Sequence, residues 1–112
     1  GIEFNLSMLT GDALDRYYKF AGINLNDKSM GSVGEVDCVK EFKVIDNWHK
    51  FELIFGFSKD MKLWRFPIET ISQSVGKLEK SYQSSVIFPN WKFNLKPNEN
   101  WNVVITQEFK RI

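Results

Sequence analysis

Three stretches in the middle of the chain alternate apolar and polar side chains with the period of two that marks a half-buried strand. Over 35–45, Val36, Cys38, Phe42 and Val44 share one face, while Glu35, Asp37, Glu41 and Lys43 share the other with Val39. Lys40 interrupts the apolar face, which points to a bulge or a sheet edge. Asp46 and Asn47 carry turn chemistry. Residues 49–57 then place Phe51, Leu53, Phe55 and Phe57 on one side, and 58–61 turns the chain into a third strand over 62–66. Connections this short join antiparallel neighbours, so the pattern predicts a meander.

On either side of the meander the period changes. In 11–22, Leu14, Tyr17, Tyr18 and Ala21 fall at helical spacing, with Asp12 as a cap, Asp15 in the first turn and Gly22 as a stop. Pro67 is pre-organised for a first helical turn. Behind it Ile68, Ile71, Val75, Leu78 and Tyr82 recur in steps of three and four. Glu69 near the start and Lys77 and Lys80 toward the end have the sense a helix dipole favours. This predicts a helix over 68–85 that covers one sheet face, with Gly76 admitting a close approach. The tail alternates again: Trp91, Phe93 and Leu95 precede the turn residues 96–100, and Trp101, Val103 and Ile105 follow them, which predicts a terminal hairpin. Residues 23–34, rich in Asn, Ser and Gly, form a loop of the kind that carries binding residues. The expected fold is a single small α+β domain over 1–112, in the order α-β-β-β-α-β-β, with two helices on an antiparallel sheet of about five strands. Within that range, residues 1–7 are expected as a flexible or non-native start.

Composition supports a packed core and narrows the function. Of 112 residues, 43% are hydrophobic and 15% aromatic, with ten Phe and four Trp, so wholesale disorder is excluded. Fifteen Lys and Arg stand against fourteen Asp and Glu, a balance without the long-range field of a chain built around nucleic acid. Cys38 is the lone cysteine and forms no intramolecular disulfide. It is expected as a small buried hydrophobe on its strand, and it slightly favours the reducing cytoplasm. No run approaches the ~20 apolar residues of a membrane-spanning helix.

His49, the lone histidine, is the side chain suited to acid–base work at neutral pH. Glu52 lies on the opposite face of its strand, and Asp46 is the carboxylate within reach across the turn. The expectation is a surface histidine at a strand start, without a catalytic role. One His, one Cys and scattered carboxylates give no zinc or calcium ligand spacing. Gly31 and Gly34 are not followed by a phosphate-loop lysine, and no nucleophile elbow is present. No catalytic residue, metal or cofactor is therefore assigned.

Small domains of this kind work through interfaces in which Trp and Tyr concentrate binding energy. Trp48 and Trp64 lie near turns, and Tyr17 and Tyr18 cannot both face a core from one helix. These four are the candidate protein-binding residues. The expected function is a non-enzymatic protein-interaction domain with a protein partner, such as a specific inhibitor, an immunity-type protein or an adaptor. The alternative is a small nucleic-acid-binding protein using Lys92, Lys96, Lys110 and Arg111 on a sheet face with interleaved aromatics. A nuclease-like enzyme built on His49 comes third.

Overall fold

The computed structural model describes residues 1–74 and 76–112, and the side chains of all of these except Ser74. Among them the chain is all-β, with six strands in one antiparallel sheet. The strands are β1 (Phe4–Leu6), β2 (Arg16–Lys19), β3 (Gly34–Asp46), β4 (Phe51–Ser74), β5 (Lys77–Asn90) and β6 (Ile105–Arg111). β4, 24 residues long, is the spine. β3 lies along one of its edges, from Asp46↔Phe51 to Gly34↔Arg65. The other edge is shared end to end, by β6 along Phe51–Phe57 and by β5 along Lys62–Ser74. β2 flanks β3, and β1 flanks β5 at Phe4↔Ile87.

Register shifts on both sides of Val39 break the β3–β4 ladder. Pairing jumps from Glu41↔Gly56 to Val39↔Met61, so Phe57–Asp60 bow away from β3. The bulge holds Cys38 at φ 56 and turns it out to solvent, which corrects its expected burial and returns Val39 to the core instead. A break of this kind increases local twist, and the sheet coils on itself. Phe4 meets Phe55 edge to face at 5.5 Å, although β5 brings Phe4 alongside Arg65 in the ladder.

The inner face forms one apolar core. Phe42 stacks between Phe20 and Phe55 at 5.4 and 4.9 Å, Leu63 and Ile87 are fully buried, and Met8 and Met30 close over them from loops. Beyond Arg65, β4 leaves β3 behind and continues with β5 as a two-stranded ribbon, exposed over 68–73 and 76–81. The molecule is correspondingly long, 60 × 34 × 23 Å.

Among the described residues neither predicted helix forms, and the α+β expectation gives way to an all-β fold. In 11–22 the regular part is β2, where alternation buries Arg16 and Tyr18 and turns Lys19 outward. Asp12 caps no helix; its carboxylate accepts from Thr10 Oγ1 at 2.7 Å. Of the predicted second helix, 68–74 belong to β4 and 77–85 to β5, with Gly76 between them at φ 76, a conformation glycine adopts without strain. Ile71 and Leu78 of the supposed helical stripe are 65% and 76% exposed, and Val75 lies outside the described residues. The ladder that runs from Lys62↔Asn90 to Ser74↔Lys77 outweighs a stripe that had nothing to pack against. The expected turn at 58–61 is the bow in β4. The expected terminal hairpin is a ladder-free segment, 91–104, with Phe93 stacked on Trp101 at 4.3 Å. β6 pairs with the apolar first half of β4 instead. No helix among the described residues is long and apolar enough to cross a membrane.

Candidate functional site

On the outer face of the sheet an apolar patch lies where β4 and β5 run side by side. Leu63 and Arg65 point into the core, so alternation sends Lys62, Trp64 and Phe66 outward. Trp64 stands directly opposite Phe88, with ring centroids 5.6 Å apart and planes 15° from parallel. Trp64, Phe66 and Ile68 remain 44%, 39% and 41% exposed.

Polar groups frame this platform. Trp64 Nε1 donates to Glu35 Oε2 at 3.0 Å. The same carboxylate lies 4.0 Å from Lys62 Nζ, which also reaches Asp37 at 3.5 Å. Exposed ion pairs contribute little stability; these fix a row of donors and acceptors beside the indole. Opposite Lys62 is Asn90, whose amide nitrogen donates to Lys62 O at 3.0 Å and to Phe88 O at 3.2 Å. Both amide hydrogens are thereby used, and Oδ1 is left to accept. Past this pair a groove of about 390 Å³ opens at the broken ladder, lined in part by Asp37, Asp60, Lys62, Asn90, Trp91 and Lys92. A flat ring beside groups that donate and accept suits a ligand with one apolar face and several hydroxyls, because each hydroxyl both donates and accepts.

The structure separates the residues singled out from the sequence. Of the four candidate protein-binding residues, Trp64 is on this strip. Trp48, 69% exposed, lies in the turn between β3 and β4. Tyr17 is half-buried with Lys28 Nζ 4.6 Å from its ring centre. Tyr18 is 1% exposed, and burial pushes its phenol up to about 12, so it presents nothing to a partner. The four basic residues do not form one patch. Lys92 follows Asn90 at the groove and Lys96 lies in the 91–104 segment, whereas Lys110 and Arg111 pair with Glu52 and Phe51.

His49 makes a closer contact than its sequence position suggests. Its Nδ1 lies 2.7 Å from Asp46 Oδ2, its backbone N–H donates to Asp46 Oδ1 at 2.8 Å, and Arg16 Nε donates to Oδ2 at 3.3 Å. Burial works to raise the Asp46 pKa, but the His49 hydrogen bonds and the Arg16 charge outweigh it and hold the carboxyl below its ordinary range. The cluster closes the β3–β4 turn and ties β2 to β3; it lies outside the groove. Glu35, Asp37, Lys62, Phe88 and Asn90 were not singled out from the sequence. Reading 77–90 as one strand, rather than ending a helix at 85, would have set Phe88 and Asn90 beside Trp64 and Lys62.

A family model described as alpha-amylase/4-alpha-glucanotransferase, C-terminal, matches residues 1–105. The chain belongs to this family. It is also similar to alpha-amylase 1 of Dictyoglomus thermophilum, with 27% identity over 110 residues. That match covers 94% of this chain, which spans about 15% of the relative's length. No solved structure matches the chain. An alpha-amylase/4-alpha-glucanotransferase C-terminal domain is a domain of carbohydrate-active enzymes. The expectation of an inhibitor, immunity-type protein or adaptor is corrected on that finding, and the nucleic-acid and nuclease readings go with it. Glycoside chemistry needs an acid carboxyl shielded from water, facing a second carboxylate. In this C-terminal domain the strip carboxylates Glu35 and Asp37 keep 57% and 68% of their side chains exposed and share Lys62. Among the described residues no three His, Cys, Asp or Glu side chains converge as metal ligands.

Proposed function

We propose that this domain serves an α-glucan-processing enzyme by holding the glucan on its outer face and performs no bond cleavage itself. The observation that carries this reading is Trp64, a half-exposed indole stacked on Phe88 and fixed by Glu35. Family membership and the likeness to an alpha-amylase support glucan as the ligand. The indole takes the C–H face of a glucosyl ring, and Glu35, Lys62 and Asp37 meet its hydroxyls. Exposed carboxylates paired with a lysine suit binding better than proton donation to a leaving group.

The test is titration of the chain with maltoheptaose, followed by tryptophan fluorescence and calorimetry. Trp64 is 44% exposed, and covering half of that area on a ~250 Å² side chain removes ~50 Å² from water, about tenfold in Kd. Trp64→Ala should weaken binding by at least that factor. Trp48→Ala, which removes an exposed indole outside the strip, should leave it unchanged. Absence of saturable binding by the unaltered chain, or equal loss in both variants, defeats the reading.

A further inference from the structure

The groove beside the platform has features that Trp64 does not explain. We infer that it is a second sugar subsite, in which Trp91 carries a glucosyl ring while Asn90, Asp60 and Lys92 take its hydroxyls, so that a linear α-glucan runs from Trp64 into the broken ladder. This rests on the reading of Trp64 as a glucan platform and extends it to a distinct set of residues.

Three observations support the subsite. First, its aromatic wall is pre-set. The Trp91 ring packs 6.0 Å from Phe57 and 5.7 Å from Trp101, and its N–H donates to Lys59 O at 3.4 Å. A ring held from behind loses little freedom when a ligand stacks on it. Second, donors and acceptors converge. Asn90 presents Oδ1 because both its amide hydrogens are used, Asp60 supplies a carboxylate, and Lys62 and Lys92 supply ammonium groups. Vicinal hydroxyls, each donor and acceptor, match that mixture, whereas a simple anion would meet Asp37 and Asp60. Third, the groove exists because the backbone departs from regular pairing. Cys38, a non-glycine residue, sits at φ 56 in the bulge that lines it. Bulges and left-handed non-glycine residues concentrate where a sheet is shaped for a ligand.

The two subsites are continuous. Lys62 bridges Glu35, which holds the Trp64 indole, and Asp37, which lines the groove. Along β4, Trp64 and Lys62 are two residues apart, about 7 Å at strand rise. The volume of about 390 Å³ falls within the ~300–1,000 Å³ of small-molecule sites and accommodates a short piece of a glucan chain.

The experiment compares maltotriose with maltoheptaose on the unaltered chain, on Trp64→Ala and on the surface double variant Asp60→Ala/Lys92→Ala. The indole N–H resonances of the four tryptophans are followed by NMR as a second readout. With two subsites, maltoheptaose binds more tightly than maltotriose, and the double variant loses about tenfold for the longer sugar. The Trp91 indole signal then shifts with maltoheptaose. If maltoheptaose binds in a Trp64-dependent way but the double variant matches the unaltered chain and the Trp91 signal stays still, the second subsite is overturned and the Trp64 platform stands. If the unaltered chain binds neither sugar, both fall.

Discussion

Replacing Asp46 by Asn tests whether the His49 cluster is structural. Asp46 is 1% exposed and Arg16 7%, so the substitution removes the compensating charge from a buried guanidinium while keeping volume and one carbonyl oxygen. Taking away one partner of a buried pair costs about 3–5 kcal/mol, and the retained amide oxygen puts the expectation near the lower end, ~3 kcal/mol. His49→Ala removes a hydrogen bond from a side chain that is 44% exposed, a loss of about 1 kcal/mol. The order Asp46→Asn well above His49→Ala is what a turn-closing role requires. The pH dependence has a definite sign. The folded pKa of Asp46 lies below its reference value of 3.8, so its stabilisation is fully present above 3.8 and is lost as pH falls through the lower folded value. Urea unfolding followed by tryptophan fluorescence, at neutral pH and in acid, reads both effects. The difference between the unaltered chain and Asp46→Asn should close in acid. A neutral-pH cost under about 1 kcal/mol, or a gap that persists in acid, would refute the reasoning.

Two further outcomes follow from burial and backbone geometry. Tyr18, raised from 10.0 to about 12 by burial, should titrate above the ordinary tyrosine range in an ultraviolet absorbance titration; the stability it contributes is intact below 10.0 and declines as pH rises through about 12. Gly76 has φ 76 and nothing within 4 Å of an added Cβ, so Gly76→Ala should cost about 1–2 kcal/mol in urea unfolding through backbone conformation alone.

Much of the middle of the fold was legible because its strands bury one face. Val36, Phe42, Val44, Phe55 and Phe57 declare themselves by alternation and all reach the core. The ribbon was not legible for the opposite reason. Its side chains face water on both sides over 68–73 and 76–81, so no period is imposed, and chance placement of Ile68, Ile71 and Leu78, in line with the core-packed Tyr82, mimics a helix stripe. Cys38 was misplaced because a bulge shifts the alternation by one residue, and one interrupting Lys40 signals a bulge without locating it. For the site, Trp64 carried a visible signal as an aromatic beside a turn. Its partners Phe88 and Asn90 meet it across the β4–β5 ladder, and a wrongly assigned helix hides every cross-strand neighbour. The family was missed because a chain without a catalytic motif reads alike whether it is a free-standing binding protein or the C-terminal domain of a carbohydrate-active enzyme.

The pairing of β1 with β5 has a consequence for how the chain comes off the ribosome. Phe4 finds its ladder partner at Ile87, and at the ~5–20 residues per second of synthesis that interval lasts roughly 4–17 s. The β4–β5 ribbon, closed by a local reversal at Gly76, is complete as soon as its own residues emerge. Docking of the first strand therefore waits on nearly the last, and Phe4 and Leu6 stay available to chaperones, or to the wrong partner, for as long as translation takes to reach Ile87.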